Sequence, residues 1–317
     1  MAETRCLSAN ACRLWRWGIR VAAALSALAV AMPVAARERP VIAFTFDDIP
    51  VHAQLPPGET RLGVVKALAA ALQRAGVPAT GFINAGLAER EPGSAAAMQA
   101  WRDSRLPLGN HGWSHAGLGA AGVEAFKQEI TRNEPALEAL MGRRDWRWFR
   151  YPFLDEGKDP ATRGAIRTWL AGRGYRLAGV TMSFSDFLFN DPYARCLVTG
   201  DTATVARLEQ TFLDAAAEAA TATRAAAKAR YGRDIPYVLL MHAGALDARL
   251  LPRLIDAYRR AGFGFVSLEQ ASRDPAIAAY ADPANSAAPL PLALPQTAMD
   301  LSWVETACTR PRDVTPS

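Results

Sequence analysis

Two adjacent carboxylates, Asp47 and Asp48, close a short apolar run at residues 41–50, Val-Ile-Ala-Phe-Thr-Phe-Asp-Asp-Ile-Pro. Within a strand, neighbouring side chains point to opposite faces, but where the strand ends both acids can turn into one cavity and take different tasks. Taken alone, the stretch is equally an Asp-Asp-x-Pro turn. The chain holds four histidines, and His111 and His115 stand four apart in Gly-Asn-His-Gly-Trp-Ser-His. Four residues make about one helical turn, so the spacing predicts both imidazoles on one helix face, able to share an ion. Two neutral nitrogens and a carboxylate leave positions open for water and substrate, as a catalytic metal site requires, and Asp48 is the expected third ligand.

Three further elements follow in order: Arg150-Tyr151-Pro152-Phe153, Ser185-Asp186-Phe187 and Leu239-Leu240-Met241-His242. The ordered set resembles the polysaccharide deacetylases, carbohydrate esterase family 4, also called the NodB-homology domain. The family motifs Thr-Phe-Asp-Asp, His-x-x-x-His, Arg-x-Pro-aromatic, Asp followed by Trp, and Leu-x-His correspond to Thr45 to Asp48, His111 to His115, Arg150 to Phe153, Asp186 with Phe187, and Leu240 to His242. The resemblance spans about residues 41–270.

It implies removal of acetyl groups from an N-acetylated carbohydrate, a peptidoglycan-like or chitin-like glycan. Amide hydrolysis needs a nucleophile, a sink for carbonyl charge and an acid for the departing amine. A divalent ion on Asp48, His111 and His115, Zn2+ by ligand type with Co2+ or another divalent ion as alternatives, would acidify a bound water and polarise the acetyl oxygen. Asp47 is then free as general base. By resemblance, Arg150 pairs with Asp47, and the backbone N–H of Phe153 completes the oxyanion site. His242 is the expected acid, oriented and raised in pKa by Asp186. Leu240 and Phe187 would wall the acetyl pocket, and His52 is either a substrate-facing side chain or an ordinary loop histidine.

Three departures from the family pattern bear on substrate more than on reaction. Ile49 stands for the usual Gly, Gly112 for a Ser or Thr that secures the metal loop, and Phe187 for Trp. Gly112 therefore predicts a looser loop. The same site could attack an O-acetyl ester or another amide. An inactive carbohydrate-binding relative is the reading from a different class, disfavoured by intact Asp47 and His242.

These residues need elements to position them. Thr60 opens a helical run ending at Gly76, and residues 79–84 read as a second strand. Alternation continues with a helix at 95–102, a strand at 106–110, a helix at 123–141 interrupted at Pro135, and a strand at 147–149. A helix at 162–172, a strand at 175–183, a helix at 202–230 and a strand at 237–241 follow. A helix at 250–260, a strand at 263–268 and a helix at 269–280 complete the series. Such alternation implies an α/β fold with a parallel sheet, and chemistry-bearing residues just after successive strands imply one catalytic face of a barrel. The resemblance adds an irregular (β/α) barrel of about seven parallel strands.

Residues 1–36 read as a secretory signal peptide: Arg13, Arg16 and Arg20 precede the apolar run 21–30, and small residues end at Ala36. The run is short for a membrane span. Cleavage would leave a catalytic domain at 37–280 and an extended tail at 281–317, in the periplasm or secreted, with no stable membrane span. Losing four arginines and one glutamate takes the formal net charge from +5 to +2, which makes no case for nucleic acid. It also leaves Cys196 and Cys308, an even pair expected to bridge in an oxidising compartment and to tie the tail to the loop after Asp186.

Overall fold

The computed structural model describes residues 39–309 except Pro92 and Gln296. The expected leader at 1–36 lies outside the described residues. Strand β1 (Val41–Ile49) has Ile42, Ala43, Phe44 and Phe46 fully buried, apolar toward both sides as a parallel strand between helical layers must be. The chain continues through α1 (Arg61–Ala75), β2 (Ala79–Ile83), α2 (Ser94–Asp103), β3 (Leu108–Asn110), α3 (Leu118–Ala121), α4 (Val123–Met141) and β4 (Trp148–Phe149). Then come α5 (Pro160–Gly172), β5 (Arg176–Leu177), α6 (Asn190–Thr199), α7 (Thr202–Tyr231), β6 (Tyr237–His242) and α8 (Ala245–Arg260). The last elements are β7 (Gly264–Phe265), α9 (Leu268–Ala271), α10 (Pro275–Ala281) and α11 (Ser302–Thr306).

Every pairing is parallel, in the order β5-β4-β3-β2-β1-β6, with β7 also against the start of β1. Beyond β5 the chain returns to the far edge. The Thr181 and Met182 N–H groups both donate to the Val238 carbonyl at 3.1 Å, and Leu240 N–H donates to the Met182 carbonyl at 3.0 Å. The sheet thus curls into an irregular (β/α) barrel of seven strands. Helices form where the sequence supplies their ends: the Thr60 hydroxyl accepts the Gly63 N–H, and Gly76 closes α1 in the left-handed region at φ 63°. The face of α1 carrying Val64, Val65, Leu68 and Leu72 is buried in the core.

Several boundaries depart from expectation. Residues 175–183 are not one strand: regular pairing stops at Leu177, and only Met182 bridges β6. Gly179 interrupts it, since the Tyr280 ring occupies the space a Cβ would need, within 2.6 Å. Pro135 does not break α4, which is continuous and anchored by buried Phe126, Ile130, Asn133, Leu137 and Met141. The expected helix at 269–280 is two, because Asp274 caps a new start at Pro275. The helix expected from 250 begins at Ala245, and the strand expected over 263–268 pairs only at Gly264–Phe265. Cys196 lies on helix α6 rather than in a loop, bonded to Cys308 across 112 residues. The segment beyond 281 is not wholly extended, since α11 forms within it with Val304 fully buried.

Candidate active site

At the end of β1 the register slips between Phe46 and Ile49, and Asp48 takes a left-handed backbone at φ 60°. That irregularity lets two adjacent carboxylates reach one cavity instead of opposite faces. Asp47 is still in register with His242 on β6. Its carboxylate meets Arg150 Nη1 at 3.2 Å from both oxygens. Arg150 is fixed in turn: Nε donates to the Ala178 carbonyl at 2.6 Å, Nη2 to Thr45 Oγ1 at 3.1 Å, and the guanidinium lies over the Phe82 ring. Burial pushes Asp47 up to about 6, offset in part by the Arg150 charge.

His111 and His115 do not share a helix turn. They lie on a loop after β3, with Gly112 at φ 77° and His115 at φ 66°. This loop is not loose. Asn84 Nδ2 donates to the His111 and Gly112 carbonyls at 2.7 and 3.0 Å, and Gly112 N–H donates to Asn110 Oδ1 at 2.9 Å. Asn133 Nδ2 reaches the same Asn110 oxygen, and Glu129 Oε2 accepts from the Ser114 N–H and hydroxyl. These residues secure the loop where a Ser or Thr at 112 was expected to. Asn84 and Asn110 stand at or just beyond strand ends, a placement that could have flagged them.

His111 Nδ1 lies 2.8 Å from the Arg150 carbonyl, which can only accept, so the proton sits on Nδ1 and the Nε2 lone pair faces Asp48 Oδ1 at 3.6 Å. His115 Nε2 lies 3.3 Å from the same oxygen. Burial pulls the His111 imidazole well below its usual pKa, favouring the neutral form a ligand needs. Asp48 Oδ1 is buried with no hydrogen-bond partner among the described residues. Ligand atoms around one tetrahedral ion stand roughly 3.4 Å apart, so this orphaned oxygen and two imidazole nitrogens fit a divalent cation. They form one candidate metal cluster.

Opposite, Asp186 holds His242 twice: Oδ1 is 3.0 Å from Nδ1, and Oδ2 accepts the backbone N–H at 2.6 Å. Burial alone would depress the imidazole, but the carboxylates of Asp186, Asp48 and Asp47 outweigh it and push its pKa up to about 10.

A cavity of about 420 Å³ is lined by Asp47, Asp48, His111, His115 and His242, with Phe153, Leu154, Phe187, Leu240 and Leu294 as apolar walls. Phe153 is 71% exposed and Phe187 52%, so both rings stand at the mouth. Leu294 brings the C-terminal segment into the wall, a contribution with no sequence signal. His52 borders an adjoining cavity with Asp48, Phe187 and His242, and its ring packs edge-on against His115 at 5.4 Å. All four histidines of the chain therefore meet at this one place.

A parallel barrel with this cluster at the C-terminal ends of its strands defines the class: an α/β barrel with its candidate site on the usual catalytic face. Residues 35–166 match the family model for polysaccharide deacetylase. Its fold is similar to that of a peptidoglycan N-acetylglucosamine deacetylase solved with a naphthalenyl N-hydroxybenzamide (17% identity, TM-score 0.50), covering 74% of this chain and 88% of that one. It is also similar to a CE4-family pseudoenzyme mutant with restored activity (14% identity, TM-score 0.50), covering 74% and 68%. A family 4 carbohydrate esterase from Streptomyces lividans in complex with acetate matches at 21% identity and TM-score 0.47, over 73% and 95%. No curated protein sequence matches the chain.

Proposed function

We propose that the protein is a metal-dependent deacetylase that hydrolyses the acetamide of an N-acetylated carbohydrate, acting in the periplasm or after secretion. The observation that carries this is the division of the cavity: the Asp47–Arg150 pair and the His242–Asp186 pair approach it from different strands, with the Asp48, His111 and His115 cluster beside them. Asp48, His111 and His115 would hold a divalent cation, Zn2+ by ligand type, which when bound would supply positive charge to polarise the acetyl carbonyl and ease deprotonation of water. Asp47 accepts the proton of the attacking water as its oxygen bonds to the acetyl carbon, and Arg150 keeps that carboxylate aimed. His242 delivers its ring proton to the sugar nitrogen as the C–N bond breaks, giving acetate and a free amine. At neutral pH the two groups hold the opposite protonation states these roles require, Asp47 above about 6 and His242 below about 10. Phe153 presents its backbone N–H to the developing oxyanion, Leu240 and Phe187 pack the acetyl methyl, and His52 borders the sugar.

The test is acetate release from defined N-acetylated and O-acetylated glycans by the cleaved chain supplied with Zn2+. Release from an N-acetylated glycan supports the reading. Release from O-acetyl esters alone would replace it with an esterase.

A further inference from the structure

Behind His242 lies a second buried acid that the reaction above does not use. Asp247, in the first turn of α8, is fully buried, as are Asp186 and Asn190. Asn190 Oδ1 accepts the Leu246 N–H at 3.0 Å, which fixes its amide so that Nδ2 donates to Asp247 Oδ2 at 2.7 Å. Gly244 makes room for this amide: a Cβ there would stand 2.1 Å from Asn190 Oδ1. Both oxygens of Asp186 face donors of His242. Asp247 Oδ1, by contrast, is buried and has no donor. The Asp186 charge acts on Asp247, and two ionised carboxylates near each other away from water repel strongly, so one must keep its proton.

Resting on the reading of His242 as the acid, we propose that Asp247 is a positioning residue: its protonated Oδ1 donates to the Asp186 carboxylate and locks that carboxylate against the His242 imidazole. The donor count decides which acid is neutral. Asp186 already accepts two N–H groups, whereas a proton on Asp247 Oδ1 satisfies the only unpartnered oxygen of the pair. Burial first, and then the Asp186 charge, push Asp247 well above the carboxylate range. The chain Asn190–Asp247–Asp186–His242 thus joins α6 and α8 to the end of β6, and it aims the imidazole through Asp186 without touching substrate.

Two measurements on the metal-loaded protein test this. The infrared difference spectrum between wild type and Asp247→Asn at neutral pH, with carboxyl-labelled aspartate, should show a protonated-carboxyl C=O band that the variant loses. Only carboxylate bands in the difference would overturn the proposal. Asn can still donate from Nδ2 to Asp186 and accept from Asn190, so Asp247→Asn should keep kcat within about threefold. Asp247→Leu, equal in bulk but without a donor, should lose about tenfold or more, the scale of one hydrogen bond to a charged group, with KM and bound metal unchanged. The ring nitrogen-15 shifts of His242 should move in Asp247→Leu and stay in Asp247→Asn. Equal losses in the two variants, or none in a folded Asp247→Leu, would overturn it. Absence of acetate release by wild type would instead defeat the enzymatic reading, while the infrared band and the nitrogen shifts still decide where the proton sits.

Discussion

Asp47 and His242 occupy facing positions on paired strands, yet their surroundings drive them in useful directions: burial keeps the acid near 6, and the Asp186 carboxylate keeps the imidazole charged to about 10. The sign of the pH dependence follows. His242 is raised, so its proton is present at neutral pH and is lost as pH climbs toward about 10. Rate should fall on that alkaline limb, at lower pH in the metal-loaded enzyme because a nearby dication disfavours the charged imidazole. Asp186→Asn removes the main opposing charge and leaves burial, so a kcat–pH profile should show the alkaline limb displaced toward lower pH. In the metal-free protein the raised value also stabilises the fold. That contribution is full below 6.5 and disappears as pH rises through about 10. Tm measured across this window should fall in wild type and fall less in His242→Ala, where Asp186, Asp48, Asp47 and His52 no longer face a titrating ring. His52→Ala should leave kcat nearly intact and act on KM, since His52 borders the cavity next to the reacting groups.

The elements place these residues by irregularity as much as by regular structure. The candidate ligands were legible as residue types at a spacing, but the turn that presents them was not: four-residue spacing suggested a helix, whereas left-handed Gly112 and His115 make a loop braced by asparagines from three other places. Asn133 lies about twenty residues beyond the loop on α4, and nothing local marks it as a brace. It accepts Ala85 N–H and donates to the Ile83 carbonyl and Asn110. Asn133→Leu should therefore weaken metal affinity by about 10–100-fold, as loss of groups that orient ligands does. Titration with Zn2+ against a competing chelator checks it, with His115→Ala as the reference for outright loss of a ligand. Unchanged affinity in a folded Asn133→Leu would show that the loop holds its shape without that brace. The strand expected at 175–183 failed for a similar reason. Its apolar pattern was visible, but the tertiary approach of Tyr280 to Gly179 was not.

For the molecule as a whole, alternation of helices and strands was enough to anticipate a parallel sheet, because that pattern depends on local periodicity, and the chemistry-bearing residues just after successive strands pointed to one catalytic face of a barrel. The closing of the sheet through Thr181 and Met182, and the return of the C-terminal segment to supply Leu294, are long-range events with no such signal. That segment is held by the Cys196–Cys308 bond and by Arg195, which donates to the Glu305 and Ala307 carbonyls. A link across 112 residues restricts the unfolded chain, so Cys308→Ser should lower unfolding free energy by roughly 2–4 kcal/mol in urea titration under oxidising conditions. The central claim is that one cavity combines a base, an acid and a cation site with separable duties. Metal content and acetate release measured on the same preparation of Asp47→Asn test it most directly. Bound metal near one ion per chain, with turnover reduced about a hundredfold or more, is the expected result. Full turnover by Asp47→Asn on a substrate that wild type deacetylates would contradict the account.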